Sequence, residues 1–283
     1  MREEKKAKIT GLIFAWGSGP FARPVMEQAA YMCDEVLVCV EAHTDNMRKY
    51  EDETLEIFKE YPVKFVTVEH QGNHVTTKNV TLNKMLQQSE YFQPGNWLWL
   101  LDDDEFYSKE TIDDVKKIVE ESKYDSVLFN ERFYYINLHR YLNQSTGRPR
   151  LWKIQKDNDY FVPTQVWSSP PQNQIRTGLM HHLSFLCNPY AKEEFWMTEY
   201  NHNQNHKVQW MRDVYQRVSL EDEDYWLDYC AKTYGHRNLF HIAKGQSHGD
   251  EQGRLFHRED TLPQWIEHLE GIEDFREIYE RPA

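Results

Sequence analysis

Asp102, Asp103, Asp104 and Glu105 close a short apolar run, Trp97-Leu98-Trp99-Leu100-Leu101. Carboxylates gathered this way can hold a hard divalent cation through their oxygens. An apolar run this short suits a strand covered on both faces better than a buried helix of ordinary length. The acids then stand at the carboxyl end of that strand, the edge where open α/β sheets bind ligands. In extended chain Asp102 and Asp104 point the same way and reach one metal or one metal-bound diphosphate, while Asp103 points elsewhere. The alternative is a solvated acid run opening the next helix, because Ser108-Lys109-Glu110-Thr111 has the form of a capping box.

The elements that must position these acids follow in repeating order. Ile9 to Trp16 reads as a strand broken by Gly17-Ser18-Gly19-Pro20, Pro24 to Met32 as a helix, and Glu35 to Val40 as a buried second strand. Strand, helix, strand is the unit of a parallel sheet. The Gly-x-Gly lacks the third glycine of a dinucleotide fingerprint and reads as a plain turn. A helix from Met47 to Glu60, a third strand from Val63 to Val68 and a helix over Thr77 to Leu86 come next. Thr111 to Ser122 continues as a helix, Asp125 to Tyr135 as a strand, and Val162 to Ile175 as a mobile or acceptor-facing loop. The expected fold class is α/β, a mostly parallel sheet flanked by helices with a helical C-terminal extension. The tail around Pro263 to Leu269 is expected to be an amphipathic helix on the core.

With 283 residues and 40% hydrophobic content the chain can fill one sizeable core, expected as a single domain over 1–283. A formal charge of −13 disfavours general nucleic-acid binding. Cys33, Cys39, Cys187 and Cys230 lack metal-ligand spacing and read as buried thiols of a reducing compartment. No stretch has the length and apolarity of a membrane span, so a soluble, cytoplasmic protein is expected. Oligomeric state is not legible.

Trp99-Leu100-Leu101-Asp102-Asp103-Asp104-Glu105 resembles the strand plus Asp-x-Asp-Glu signature of family-2-like nucleotide-sugar glycosyltransferases of the GT-A fold. Four further segments are similar to that family. Glu41-Ala42-His43-Thr44-Asp45-Asn46 stands where the family has Asp-Asp-Gly-Ser-Thr-Asp, and Thr77 to Leu86 is like the helix lying beside the diphosphate. Gly178-Leu179-Met180-His181-His182-Leu183-Ser184-Phe185 is like a segment carrying a metal-binding histidine. Arg148-Pro149-Arg150-Leu151-Trp152-Lys153 also resembles a segment that follows the metal motif. The resemblance implies residues 1–125 as a nucleotide-sugar-binding half and 126–283 as an acceptor half.

By position, the resemblance implies that Glu41 meets the base and Asp45 shapes its loop, with Glu in place of the usual Asp leaving the base open. Lys78 would meet phosphate, and Asn83, Asp102 and Asp103 would position the donor. Asp102, Asp104 and His182 would hold the metal, and an imidazole among carboxylates favours Mn²⁺ over Mg²⁺. An inverting transfer to a hydroxyl acceptor needs a general base, for which Asp222 in Ser219-Leu220-Glu221-Asp222-Glu223-Asp224 is the candidate. Each residue has a plainer alternative: a turn at Glu41, a solvated Lys78, a hydrogen-bonded buried His182, and a capped helix start at Asp222. His202 and His206 read as a polar surface loop, and His248-Gly249-Asp250 as a further diphosphate contact. The competing functions are a metal-dependent nucleotidyltransferase or phosphohydrolase, for which no glycine-rich basic loop is present, and an inactive nucleotide-sugar-binding module.

Overall fold

In the computed structural model, residues 6–42, 45–121, 123–145, 149–162, 166–199, 205–239 and 254–280 are described. The first half runs β1 (Ile9–Ala15), α1 (Ala22–Met32), β2 (Glu35–Val40), α2 (Thr54–Lys59), β3 (Lys64–Phe65), α3 (His74–Gln88), β4 (Trp97–Leu101), β5 (Glu105–Tyr107) and α4 (Lys109–Glu121). The second half runs β6 (Ser126–Tyr135), β7 (Asn137–Ser145), β8 (Leu151–Lys153), β9 (Phe161–Val162), β10 (Val166–Trp167) and β11 (Gln174–Phe185). After these come α5 (Pro189–Glu199), α6 (Asn205–Trp210), α7 (Glu223–Tyr234) and β12 (Phe256–His257).

The result is an α/β fold with a central sheet in the order β12-β7-β6-β8-β4-β1-β2-β3. Its β4-β1-β2-β3 section is parallel, and β8 joins β4 antiparallel. Period-two burial explains the central strands. Trp97, Trp99 and Leu101 belong with Ile13 and Val38 to the apolar layer that also holds α1 and α4 side chains. Leu98 and Leu100 join Leu12, Leu37 and α3's Leu82 and Met85 on the other face. With all five β4 residues buried, the strand cannot slide without carrying a tryptophan to the wrong layer.

β11 crosses to the site from the other half. It pairs parallel with β6 and antiparallel with β5, bringing His182 opposite both Glu105 and Phe133. Its register with β6 shifts between Arg176 and Leu179, where Gly178 has φ +60°. That bulge fixes which face each later side chain takes. A Cβ at Gly178 would stand 2.4 Å from Thr111 Cγ2, so glycine is required by both conformation and space.

Four expected elements differ. The helix over Met47 to Glu60 is a 3-10 segment (Asp45–Tyr50) followed by α2, because Asp52 interrupts it by accepting the Thr54 N–H at 2.9 Å and the Gly19 N–H at 2.8 Å. The third strand shrinks to the edge pair Lys64–Phe65. The segment from Val162 to Ile175 contains the β9–β10 hairpin and the start of β11. The tail is turns and a 3-10 turn at Glu267–Leu269, since the span between Pro263 and Gly271 is too short for a stable helix. It still packs on the core through Trp265, whose Nε1 donates to Tyr107 O at 2.8 Å.

The bulge yields a measurable expectation. Gly178→Ala should lower unfolding stability by about 1–3 kcal/mol through strain and the Thr111 contact, and Thr111→Ala should restore part of the loss. Denaturant midpoints checking wild type, single and double variants would contradict this account if Gly178→Ala left the midpoint unmoved.

Candidate active site

The acid run turns instead of extending. Leu101 ends β4, Asp103 and Asp104 form a turn, and Glu105 N–H donates back to Asp102 O at 3.2 Å. Alternation therefore fails across it, and Asp102, Asp103 and Asp104 all line one cavity of about 650 Å³ at the carboxyl edge of the parallel strands. A cleft of this size is in the range of small-molecule and cofactor sites. Aromatic and apolar side chains cover much of the wall: Phe14, Trp16, Met47, Phe133, Phe185, Phe195 and Trp196.

Each acid has its own partner. Lys78 Nζ, buried in α3, meets Asp102 Oδ1 at 2.5 Å, and Arg150 Nη2 lies 3.4 Å from Asp102 Oδ2. Burial alone would raise the Asp102 pKa, but Lys78 and then Arg150 hold it well below the usual carboxylate range. Asp103 Oδ2 accepts from Ser18 Oγ, yet burial and the neighbouring Asp104 charge push its pKa up to about 7. Asp104 Oδ2 stands 3.4 Å from His182 Nε2. Burial opposes ionisation of Asp104, and the His182 charge overrides it, keeping this carboxyl below its ordinary value.

His182 is clasped from both sides. Its Nδ1 donates to Glu131 Oε1 at 2.6 Å, and Glu131 is itself buried. Burial would depress the imidazolium, but Asp104 and Glu131 together push its pKa up to about 10. Carboxylate, imidazole and a facing acid form the arrangement that fixes ring orientation in metal sites. His181, one residue earlier on β11, faces the other way: its Nδ1 is 2.8 Å from Tyr134 Oη, and burial pushes its pKa down to about 3.

A divalent ion fits one part of this set. Asp104 and His182 present oxygen and nitrogen donors close enough to share an ion. Asp102, expected as a third ligand, is instead committed to Lys78 and Arg150. Among the described residues no three His, Cys, Asp or Glu side chains form a ready cage.

The remaining expected residues are dispersed. Glu41 Oε1 pairs with Arg48 Nη2 at 2.8 Å, and Asp45 is exposed; neither lines the cavity. Asn83 does not line it either, because its side chain bonds the Phe161 backbone in both directions, 2.8 Å each way, and so anchors β9 to α3. Asp222 is the exposed N-cap residue of α7, bordering a separate acidic recess with Glu221 and Arg254. It stands at a helix start, where acids favour the exposed amides and the helix dipole. His43, Thr44, Arg148, His202 and His248-Gly249-Asp250 lie outside the described residues.

Several site residues escaped sequence reasoning. Trp16, expected as the last residue of the first strand, and Ser18, expected only as part of a turn, both line the cavity; their glycine neighbour Gly17 has φ +63°. Arg150 belongs to a segment that the resemblance singled out without a role; it is half-buried, paired with Glu105 as well as Asp102, and its backbone is bonded to Leu100 and Val127. Glu131 and Lys192 come from distant elements, and no local spacing announces them. Strand alternation against His182 could have suggested the Glu131 face; nothing local marked Lys192.

No protein-family model matches the chain, and no curated protein matches it. Among solved structures it is similar to S. aureus TarS 1-349, at 16% identity over 78% of this chain and 78% of that one, TM-score 0.43. It is similar to the same TarS segment in complex with UDP-GlcNAc, at 15% identity over 80% of each chain, TM-score 0.42. In the longer TarS structure the match spans 48% of that chain. A 4-diphosphocytidyl-2C-methyl-D-erythritol synthase is similar at 11% identity over 69% of this chain and 82% of that one, TM-score 0.33. Among the described residues no helix is long and apolar enough to cross a membrane.

The His182 clasp sets a pH dependence for the metal-free protein. A folded pKa raised from 6.5 to about 10 means the folded state holds a proton that the unfolded state releases. The clasp's stabilisation is therefore complete below the unfolded value and lost as pH rises through the folded one. Unfolding free energy of chelator-treated protein should fall between about pH 6.5 and 10, and His182→Gln should remove that slope. Parallel slopes in the two proteins would refute the clasp.

Proposed function

We propose that the chain is a nucleotide-sugar glycosyltransferase of GT-A type, moving a sugar from a nucleoside-diphosphate sugar to a hydroxyl acceptor. The observation that carries this reading is the Asp102 to Asp104 turn at the carboxyl end of β4, facing His182 inside a cavity with aromatic walls. Apolar rings suit the planar base and the sugar, and the acid and histidine suit an ion bound to a diphosphate.

Asp104 and His182 are the residues that would hold a divalent ion, with Mn²⁺ favoured by the imidazole. When bound, that ion would supply charge neutralisation for a departing diphosphate. Lys78 and Arg150 act differently from simple phosphate ligands: by pairing with Asp102 they fix the loop that carries Asp103 and Asp104. Glu131 orients the His182 ring. Asp103, held by Ser18, faces the cavity as a hydrogen-bonding group for donor hydroxyls. Asp222 has no part in this reading, because it borders another recess.

The loop after β1 favours sugar transfer over nucleotidyl transfer. A phosphate-cradling loop needs unengaged backbone N–H groups. Here Ser18 N–H is bonded to Thr54 Oγ1 at 2.9 Å and Gly19 N–H to Asp52 Oδ2 at 2.8 Å.

Thermal unfolding with UDP, GDP, CDP and ADP, each with and without Mn²⁺, tests the reading. One nucleoside diphosphate with Mn²⁺ should raise the midpoint by several degrees at a hundredfold excess over its dissociation constant, about 2.7 kcal/mol of stabilisation. Asp104→Ala should abolish the Mn²⁺-dependent part of the shift, measured from the variant's own ligand-free midpoint, which loss of the His182 partner lowers. Equal Mn²⁺-dependent shifts in wild type and variant would remove Asp104 from the metal site.

A further inference from the structure

Asn188, just before α5, and Ala191, Lys192, Phe195 and Trp196 within it line the cavity. The spacing places them on one helical face. Two lysines line the cavity, and their situations differ. Lys78 spends its charge on Asp102. Lys192 is half-buried, and its ammonium donates to the backbone oxygen and to the hydroxyl of Ser184, both neutral groups. It sits 4.5 Å from the Phe185 ring centroid and 5.9 Å from that of Trp196. Among the described residues it makes no ion pair.

An ammonium withdrawn from water without a carboxylate partner is costly, and proteins retain one where a ligand's charge completes it. Burial lowers the Lys192 pKa, and the carboxyl groups of Asp104 and Asp103 act in the opposite sense, so it lies within electrostatic reach of the acid loop. The aromatic floor beneath it stabilises the cation without neutralising it. Ser184 accepts two of the ammonium's three N–H bonds and holds it in place, and the third is available to a ligand.

We propose that Lys192 is the anion contact of this cavity, receiving the diphosphate of the donor from α5. The inference rests on the glycosyltransferase reading for the identity of the anion, while the site itself requires only a phosphoanhydride. Lys192 is then a binding residue for the leaving group, and Ser184 is its positioning residue. An ammonium here strengthens as charge builds on the departing diphosphate, which places its effect on transfer as well as on affinity.

Calorimetric titration with UDP, uridine and inorganic pyrophosphate, all in Mn²⁺, decides it, with GDP, CDP and ADP replacing UDP if another base is preferred. Lys192→Met should weaken the nucleoside diphosphate and pyrophosphate by about tenfold to a hundredfold, as expected for a lost charge-assisted hydrogen bond. Uridine affinity should be unchanged, and Lys192→Arg should keep diphosphate affinity within about threefold of wild type. A merely structural lysine would not separate diphosphate from nucleoside. Lys192→Gln provides the same comparison should the methionine variant fail to fold. If wild type binds a nucleoside diphosphate and Lys192→Met and Lys192→Gln bind it equally well, Lys192 is not the contact and the functional reading survives. If no nucleoside diphosphate binds but pyrophosphate does so in a Lys192-dependent way, the anion site stands and the nucleotide-sugar reading falls. Absence of both kinds of binding overturns both.

Discussion

Carboxylates can be buried at a strand end only when cations are buried with them, and this constraint organises the molecule from β4 outwards. Asp102 and Glu105 flank the turn, and Arg150 reaches both while Lys78 closes on Asp102 from α3. Each charge buried alone would cost several kcal/mol, on the order of the whole margin of stability. The pairing therefore decides more than local geometry. It requires β8 to enter antiparallel beside β4, since Arg150 immediately precedes that strand and its amide bonds Val127 of β6. It also requires α3 to lie against the β4 edge with Lys78 pointing in. The sheet's change from parallel to antiparallel occurs at the strand whose end carries these charges.

The parallel section was legible in the sequence because its strands are buried on both faces, and unbroken apolar runs have few other uses. His182 was singled out by the likeness of its segment to one carrying a metal-binding histidine, and the strand explains why it is this one of the pair: adjacent side chains face opposite ways, so His182 meets Asp104 while His181 meets Tyr134. The same alternation misled at Asp103, where a turn replaces extended chain and all three aspartates converge. Lys78 and Asn83 show a different obstacle. Both belong to a helix whose residue types suit phosphate binding, but one is spent on neutralising Asp102 and the other on anchoring Phe161. Residue type cannot distinguish a group reserved for a ligand from one consumed by the fold. Glu131, Arg150 and Lys192 reach the site from elements far apart in the chain, and only tertiary packing brings them there.

Asp222 failed for want of topology. Dense late acids satisfy the chemical requirement for a base, and they satisfy the electrostatic requirement of a helix start equally well. Which role applies depends on where α7 packs. Trp226, Leu227 and Cys230 of that helix belong to an apolar cluster with Trp210, Val214 and Leu239. That burial orients the helix, and the acid run is left at a recess of its own.

Charge accounting in the cavity gives the proposed chemistry its logic. Lys78 offsets Asp102, protonated His182 offsets Asp104, and Asp103, pushed up to about 7 by burial and then by Asp104, bonds Ser18. The site is thus near balance, and among the described residues Lys192 is the lining lysine without a carboxylate partner to meet the charge a diphosphate brings. A single ammonium is too little for a group whose negative charge grows as it departs. A divalent ion between Asp104 and His182 would exchange one imidazolium proton for two positive charges, so its binding should release a proton. Glu131, hydrogen-bonded to Nδ1, keeps the ring aimed at Asp104 and would leave Nε2 as the nitrogen able to hold such an ion. The clasp that stabilises the fold would therefore also hold the histidine in the orientation that the proposed metal binding needs.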